Sequence, residues 1–184
     1  MTRRLIMWNL VSLDGFFEGP KKCDLEFHDY VWGDELQTLG LGQLHDADAL
    51  LFGRITYEGM AAYWPKAKGE TAELMNAVPK VVFSHTLDKA EWNNTTLVHD
   101  PVAEVKRLKS ASGRNLYVFG SADLAATLTE HDLFDEYRLC LVPVLLGAGT
   151  SLFKAGSEPK RLSLSEARPL STGGVILRYK PNIG

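Results

Sequence analysis

Short apolar runs alternate with helical patterns through the first two-thirds of the chain, and this alternation constrains the fold more than any other feature. The apolar runs have the length and composition of buried strands, and they cover 5–12, 48–53, 81–83, 96–98 and 116–119. Segments with helical spacing cover 34–45, 55–63, 71–77, 101–110 and 123–130. From Asp135 onward the chain instead alternates apolar and polar residues, over 136–143, 161–168 and 175–179. The sequence therefore predicts an α/β fold, with a mixed, mainly parallel sheet, helices on its faces and antiparallel C-terminal strands.

Length and composition exclude several classes of protein. At about 150 residues per domain, the 184 residues suggest one domain over 1–184. A net charge of −3 disfavours a nucleic-acid-binding protein, which usually carries a basic face. The apolar run Leu5–Leu13 is too short to span a membrane. Cys23 and Cys140 lie far apart, so we expect neither a disulfide framework nor a cysteine zinc site, and the default compartment is the cytoplasm.

Polar and glycine-containing segments follow four of the predicted strands, where open α/β sheets bind ligands. These segments are 12–15, 53–58, 84–86 and 120–124. Gly53 and Gly120 each join a strand to a helix, and the free N–H groups of a helix N-terminus suit a phosphate. Arg54 adds a planar cation and Thr56 a hydroxyl group. The two junctions together suggest a dinucleotide that spans both, although either glycine alone could mark only a tight turn.

Familiar nucleotide-binding fingerprints are absent from the sequence. No G-x-G-x-x-G follows the first strand, and no G-x-x-x-x-G-K-[ST] occurs. A Rossmann dehydrogenase and a P-loop nucleotidase are therefore disfavoured. The aromatic-rich segment Phe16–Gly33 is expected to form a loop that closes over a pocket.

Five motifs in a fixed order carry a resemblance to a known superfamily. They are S-L-D-G, D-A-L-L-F-G-R-I-T-Y-E, P-K-V-V-F-S, V-F-G-S-A-D-L and P-V-L-L-G-A-G-T-S-L-F. Between Leu5 and Tyr179 the chain resembles the dihydrofolate reductase-like superfamily, above all the reductase domain of bacterial riboflavin-biosynthesis deaminase/reductase proteins. The resemblance implies a single-domain, dihydrofolate reductase-like three-layer α/β/α fold and NADPH as the cofactor.

The resemblance also implies a role for each segment at the strand ends. The cofactor phosphates would lie at Gly53, Arg54 and Thr56, and the adenosine 2′-phosphate near Ser84, His85 and Thr86. The pyrophosphate and nicotinamide would be surrounded by Gly120, Ser121, Ala122, Asp123 and Leu124, and Leu10 and Val11 would line the nicotinamide pocket. Dihydrofolate reductases have two adjacent glycines at the last junction, whereas Ser121 is the second residue here. Residues 143–149 would form a loop near the substrate or a subunit contact.

Three carboxylates are candidates for proton transfer or substrate anchoring: Asp14, Asp34 and Glu35. Two of them have a simpler interpretation, since Asp34 could cap a helix and Asp14 could cap the turn that it shares with Gly15. Trp32 and Phe16 could stack on a flat heterocycle or pack within the loop. The group His45, Asp46 and Asp48 is predicted to diverge, so no metal site is expected. Three other histidines fall in expected loops or helix ends and indicate no site: His28, His99 and His131.

The favoured function is an NADPH-dependent reductase of a small heterocycle, resembling 5-amino-6-(5-phosphoribosylamino)uracil reductase. The alternatives are a dihydrofolate or pterin reductase, and a nucleotide-binding protein without turnover. A phosphorylated substrate would need additional cations, for which Lys21, Lys22, Lys66, Lys68 and Lys154 are available. The expected partners are a small-molecule substrate and a second copy of the chain, which would pair through the C-terminal strands into a homodimer. We expect neither nucleic acid nor membrane binding.

Overall fold

A computed structural model describes residues 3–156 and 158–182. The strands are β1 (Leu5–Ser12), β2 (Phe16–Glu18), β3 (Ala47–Gly53), β4 (Lys80–Phe83), β5 (Thr95–Val98), β6 (Asn115–Phe119), β7 (Glu136–Val142), β8 (Thr150–Ser151), β9 (Leu162–Pro169) and β10 (Val175–Pro181). The helices are α1 (Asp34–Asp46), α2 (Arg54–Tyr63), α3 (Glu70–Ala77), α4 (Pro101–Ser110) and α5 (Ala122–Glu130). Two short 3-10 helices cover Glu26–Tyr30 and Trp64–Lys66.

Eight strands form one mixed sheet in the order β5-β4-β3-β6-β1-β7-β10-β9. The strands from β5 to β7 run parallel, and β10 pairs antiparallel with both β7 and β9. β1 is buried along its whole length because parallel neighbours flank it and helices cover both faces. The predicted sheet, with its antiparallel C-terminal strands, is confirmed.

Alternate side chains of β1 enter two hydrophobic clusters on opposite faces of the sheet. Met7 and Val11 pack with residues of α4 and α5, whereas Ile6, Trp8 and Leu10 pack with residues of α1, α2 and α3. The two helical layers and the sheet between them form the expected three-layer α/β/α arrangement. In the part of the chain that the structure describes, no helix is both long and apolar enough to cross a membrane.

Helix starts show where local sequence signals hold and where they do not. At α4 the Asp100 carboxylate accepts a hydrogen bond from Ala103 N at 3.0 Å, and Pro101 opens the helix. The prediction that Asp34 caps α1 is wrong, because Gly33 occupies the cap position in an extended conformation. Asp34 is therefore already inside the helix, where its charge meets the positive end of the helix dipole.

The segment Phe16–Gly33 contains more regular structure than the expected loop. Its first residues form β2, which pairs antiparallel with β8, and the 3-10 helix Glu26–Tyr30 follows. Phe27 and Val31, four positions apart, are both buried in the cluster on the side of α1. Packing across long stretches of sequence thus orders this segment.

A buried network of charged and polar groups lies at the amino end of β7. Arg138 Nε donates to Glu136, and both residues are less than a tenth exposed. Arg138 Nη1 donates to the Tyr117 hydroxyl at 3.1 Å, and that hydroxyl donates to Asp46 Oδ2 at 2.8 Å. The network joins β6 and β7 to the end of α1, on the opposite edge of the sheet from the glycine junctions.

Lys80 is a buried lysine at the start of β4. Its ammonium donates to the carbonyl oxygens of Met75 at 2.9 Å and Asn76 at 3.0 Å, in the last turn of α3. It also lies 4.3 Å from the ring centroid of Trp92. Lys80 therefore satisfies carbonyl groups that the end of a helix leaves without partners. Burial lowers the pKa of Lys80 from 10.5 to about 8.

The lowered pKa of Lys80 predicts a rise in stability with pH. Between its folded pKa of about 8 and its ordinary value of 10.5, the unfolded chain binds more protons than the folded one, so raising the pH favours folding. We compare the unfolding free energy of the wild type with that of Lys80→Met at pH 7.5 and at pH 10. The wild type minus variant difference is expected to be about 2 kcal/mol larger at pH 10. Urea unfolding of both proteins at each pH measures the difference, and a constant difference would contradict the prediction.

Candidate functional site

A cavity of about 460 Å³ opens at the carboxyl ends of β1 and β6, between α1 and α2. It is lined by Trp8, Asn9, Leu10, Phe17, Glu18, Cys23, Leu25, His28, Trp32, Gln37, Gly40, Leu41, Leu44, Thr56, Gly59, Met60, Tyr63, Trp64, Thr71, Met75, Phe119 and Gly120. Its size is that of a typical small-molecule site. Of the predicted site residues, it brings together Leu10, Thr56 and Gly120.

The two glycine junctions are in direct contact because β3 and β6 are neighbours in the sheet. Gly53 N donates to Ser121 Oγ at 3.0 Å. Gly120 has a φ of +62°, and a Cβ atom there would lie 3.0 Å from Cγ2 of Thr56. Both the backbone conformation and the close approach of Thr56 therefore favour glycine at position 120.

Ser121, the residue after Gly120, also has a left-handed backbone, with a φ of +64°. Its hydroxyl accepts from Gly53 N and donates to Phe119 O at 3.3 Å, so it does not cap α5. Among the described residues, no side chain caps α2 either. The first N–H groups of both helices are thus left for an anionic ligand.

Arg54 is the first residue of α2. Its Nη1 donates to Glu58 Oε1 at 2.9 Å, and Lys22 Nζ donates to Glu58 Oε2 at 3.1 Å. The hydrogen bond from Arg54, followed by that from Lys22, lowers the pKa of Glu58. The guanidinium is about 40% exposed and has further donors for a phosphate at the junction.

The predicted 2′-phosphate residues lie after β4, beside β3, and none of them lines the cavity. Ser84 Oγ accepts from the backbone N–H groups of Thr86 at 3.1 Å and Leu87 at 3.0 Å, which closes a turn. The His85 ring stacks on His99, with ring centroids 5.6 Å apart. Thr86 borders a separate, more open depression of about 590 Å³.

The remaining predicted cofactor residues divide between the core and the surface. Val11 is buried on the sheet face opposite to Leu10 and packs with α4 and α5. Ala122 and Leu124 are buried in the same cluster. The Asp123 side chain is exposed and pairs with Lys154. The cavity is therefore lined by one residue from each of three predicted groups, Leu10, Thr56 and Gly120, and by none of the group Ser84, His85 and Thr86.

Asp14, just after β1, forms hydrogen bonds that connect the loop 143–149 to the end of this strand. Its carboxylate accepts from Ser12 Oγ at 2.6 Å, from Gly147 N at 2.7 Å and from Leu146 N at 3.1 Å. The hydrogen bond from Ser12, followed by that from Gly147, lowers the pKa of Asp14. Asp14 does not line the cavity, and its partners favour the ionised form.

The other two carboxylates lie at the start of α1, and neither lines the cavity. Glu35 Oε2 accepts from Ser171 Oγ at 2.6 Å and Ser171 N at 2.7 Å, which ties α1 to the turn between β9 and β10. The hydroxyl of Ser171 is the main cause of the lowered pKa of Glu35. Asp34 is exposed to solvent.

His28 and Asn9 border the cavity, although the sequence indicated no site at either residue. His28 Nε2 is buried and has no hydrogen-bond partner within the described part of the chain, and the same holds for Asn9 Nδ2. Burial lowers the pKa of His28 from 6.5 to about 4, so its ring is neutral at pH 7. The apolar pair Phe27 and Val31 was the available signal, because it indicates a helical turn that fixes His28 beside the core.

Of the two aromatic candidates, Trp32 lines the cavity and is about half exposed. Phe16 instead pairs with Ser151 in the small sheet, and its neighbour Phe17 reaches the cavity. Among the described residues, no group of histidine, cysteine and carboxylate side chains is arranged to hold a metal ion.

Comparison with known proteins identifies relatives that match nearly the whole chain. The family model described as the RibD C-terminal domain matches residues 3–176. The uncharacterized protein YyaP of Bacillus subtilis (strain 168) is 30% identical in an alignment of 194 positions that covers 98% of this chain and 96% of YyaP.

Solved structures show the same fold at low sequence identity. A putative riboflavin biosynthesis protein from Shewanella sp. PV-4 has a TM-score of 0.80 at 19% identity, covering 97% of this chain and 99% of that one. Dihydrofolate reductase from Enterococcus faecalis, complexed with NADP(H), has a TM-score of 0.69 at 12% identity, covering 99% and 98%. The dihydrofolate reductase-like fold is thus confirmed, and the chain belongs to the family of the RibD C-terminal domain, a reductase-like family.

Proposed function

We propose that this protein is an NADPH-dependent reductase of a small heterocyclic substrate. The observation that carries the proposal is the contact between the two glycine junctions, where Gly53 N meets Ser121 Oγ and Gly120 lies against Thr56. Both helices that begin there lack a side-chain cap among the described residues. One diphosphate could therefore accept hydrogen bonds from both helix N-termini while the rest of the cofactor enters the cavity.

The residues at this edge fit the cofactor. The N–H groups that open α2 and α5, the Arg54 guanidinium and the Thr56 hydroxyl would hold its phosphates, and Leu10 and Gly120 would flank its nicotinamide ring. A Cβ atom at position 120 would fill the space beside Thr56, so the close approach depends on glycine. When bound, the cofactor supplies a hydride for a carbon of the substrate. The chain contributes orientation of both ligands and a largely apolar cavity.

A role in proton transfer remains a prediction for three residues: Asp14, Asp34 and Glu35. None of them lines the cavity, and hydrogen bonds lower the pKa of Asp14 and of Glu35. This placement favours a second candidate function, a protein that binds the nucleotide without turnover. Oxidation of NADPH in the presence of folate, pterin or pyrimidine substrates distinguishes the reductase from the binding protein.

Replacing Arg54 tests the phosphate site directly. We expect Arg54→Ala to weaken NADPH binding by about 2 kcal/mol, because a charge-assisted hydrogen bond to phosphate is lost. Titration followed by nicotinamide fluorescence measures the affinity. The matched control is Arg107→Ala, which removes an exposed arginine paired with Glu104 on α4. Equal affinity for wild type and Arg54→Ala would remove Arg54 from the site.

We also propose a cytoplasmic homodimer in which the C-terminal strands form the contact. β9 is the last strand of the sheet, and Leu162 and Leu164 on it are exposed. An edge strand with exposed leucines is suited to pair with a second copy of the chain.

A further inference from the structure

We propose that the cavity takes a flat, uncharged ring system that carries neither phosphate nor carboxylate. This inference deepens the proposed function and rests on it, since the ring would be the reducible substrate. It separates the protein from reductases that act on a phosphorylated sugar derivative. Three observations carry it: the aromatic lining of the cavity, the sign of its charge and the neutrality of its polar groups.

Aromatic side chains surround the cavity from several elements. Trp8 comes from β1, Phe119 from β6, Tyr63 from the end of α2 and Trp64 from the 3-10 helix that follows it. Trp32 joins them from the segment before α1. Aromatic faces bury a planar ring through stacked or edge-to-face contacts, and they gain little from a flexible, hydrated group. The shape of the lining therefore favours a planar ligand.

The charge of the cavity disfavours an anionic ligand. Over 3–156 and 158–182, no lysine or arginine lines it, whereas Glu18 does. Within the described residues, the Glu18 carboxylate accepts one weak side-chain hydrogen bond, from Thr150 Oγ1 at 3.3 Å. A phosphate in this space would lose its hydration without gaining a cation, and it would also face a carboxylate.

The lysines that could have served a phosphorylated substrate lie elsewhere. None of the five, Lys21, Lys22, Lys66, Lys68 and Lys154, lines the cavity. Lys22 shares the Glu58 carboxylate with Arg54, and Lys154 pairs with Asp123 at the start of α5. Lys22 and Lys154 therefore lie near the helix starts where the cofactor phosphates are proposed, rather than in the substrate space.

The polar groups of the cavity suit the carbonyl and ring nitrogen atoms of a neutral heterocycle. Asn9 Nδ2 and His28 Nε2 are buried without a partner in the described part of the chain, and Asn9 is only 4% exposed. Gln37 adds an amide from α1. Because its lowered pKa keeps His28 neutral, the ring can donate or accept a hydrogen bond but offers no positive charge. Buried polar atoms without partners mark places where a ligand can complete the bonding.

Three related compounds test the inference in the full-length protein: lumichrome, riboflavin and flavin mononucleotide. Lumichrome is the bare ring system, and riboflavin differs from flavin mononucleotide by the phosphate alone. We expect equilibrium dialysis at low salt to show riboflavin and lumichrome binding at least tenfold more tightly than flavin mononucleotide. Equal or tighter binding of flavin mononucleotide overturns the inference, and so does a failure of both neutral compounds to bind.

A charge introduced into the cavity should shift this preference. Gln37→Lys places a cation on the cavity wall, and we expect it to raise the affinity for flavin mononucleotide relative to riboflavin about threefold. The matched control is Thr38→Lys, which adds the same charge at an exposed neighbouring position that does not line the cavity. Equal shifts in both variants contradict binding in the cavity.

NADPH titration separates this inference from the proposed function. If the protein does not bind NADPH but prefers the uncharged rings, the proposed reductase function is overturned and the inferred ligand class is supported. Tight NADPH binding together with a preference for the phosphorylated flavin overturns the ligand class alone.

Discussion

Replacing Arg138 by methionine is expected to lower the free energy of unfolding by about 4 kcal/mol, because it leaves a buried carboxylate without its principal partner. Glu136 is only 4% exposed and accepts from Arg138 Nε, while its second partner, Arg4 Nη1, is 3.3 Å away. The same substitution removes the donor that reaches the Tyr117 hydroxyl. Urea unfolding measures the loss.

Two further variants show whether burial causes the effect of Arg138→Met. Arg107→Met removes an exposed arginine from its ion pair with Glu104, and we expect it to cost less than about 1 kcal/mol. Removing both charges with Glu136→Leu and Arg138→Met together should restore much of the lost stability, since apolar side chains can replace a buried ion pair. A double variant less stable than Arg138→Met would show that the network contributes through more than this pair.

Gly120→Val is expected to cost about 4 kcal/mol of stability and to abolish measurable NADPH binding. Roughly half of the cost comes from a β-branched residue at a φ of +62°. The other half, also about 2 kcal/mol, comes from crowding, because the new Cβ atom would lie 3.0 Å from Thr56 Cγ2. The resulting displacement of α2 from α5 would separate the two helix N-termini that are proposed to hold the diphosphate.

The control for Gly120→Val is Gly69→Val before α3. Gly69 also has a positive φ, +97°, but nothing lies within 4 Å of the position of its Cβ atom. We expect this control to show the backbone cost of about 2 kcal/mol without loss of NADPH affinity. Thr56→Ser removes Cγ2, so it should recover part of the stability when combined with Gly120→Val. Unaltered NADPH binding by Gly120→Val would contradict the placement of the cofactor at this junction.

The strands and helices could be predicted because their signals are local. The runs that form β1 and β3 are apolar over the length of a strand. Two adjacent residues, Asp100 and Pro101, are enough to identify the start of α4. The pairing of Phe16 with Ser151 in β2 and β8 had no such signal, since it joins segments far apart in the sequence. Its strands are also too short for an alternating pattern.

The part of the candidate site that could be predicted is the part whose position follows from the order of the strands in the sheet. Gly53 and Gly120 end neighbouring parallel strands, so a fold with that strand order places them together. The partners of the predicted acids could not be inferred, because Gly147 lies 133 residues after Asp14 and Ser171 lies 136 residues after Glu35. Which side chains enter the cavity likewise depends on the 3-10 helix that carries His28.

The central position of β1 has a consequence for how the protein folds during translation. The ribosome makes β1 first, yet its neighbours β6 and β7 are among the later strands, and the register pairs Leu5 with Leu116 and Ile6 with Glu136. An N-terminal fragment ending before Asn115 would contain β1, β3, β4 and β5 but lack the strand that joins β1 to the others. Such a nascent chain carries an apolar strand with no partner, and contacts between such distant segments form slowly. We therefore expect β1 to be shielded from aggregation only after β6 and β7 have been made, or by a chaperone before then.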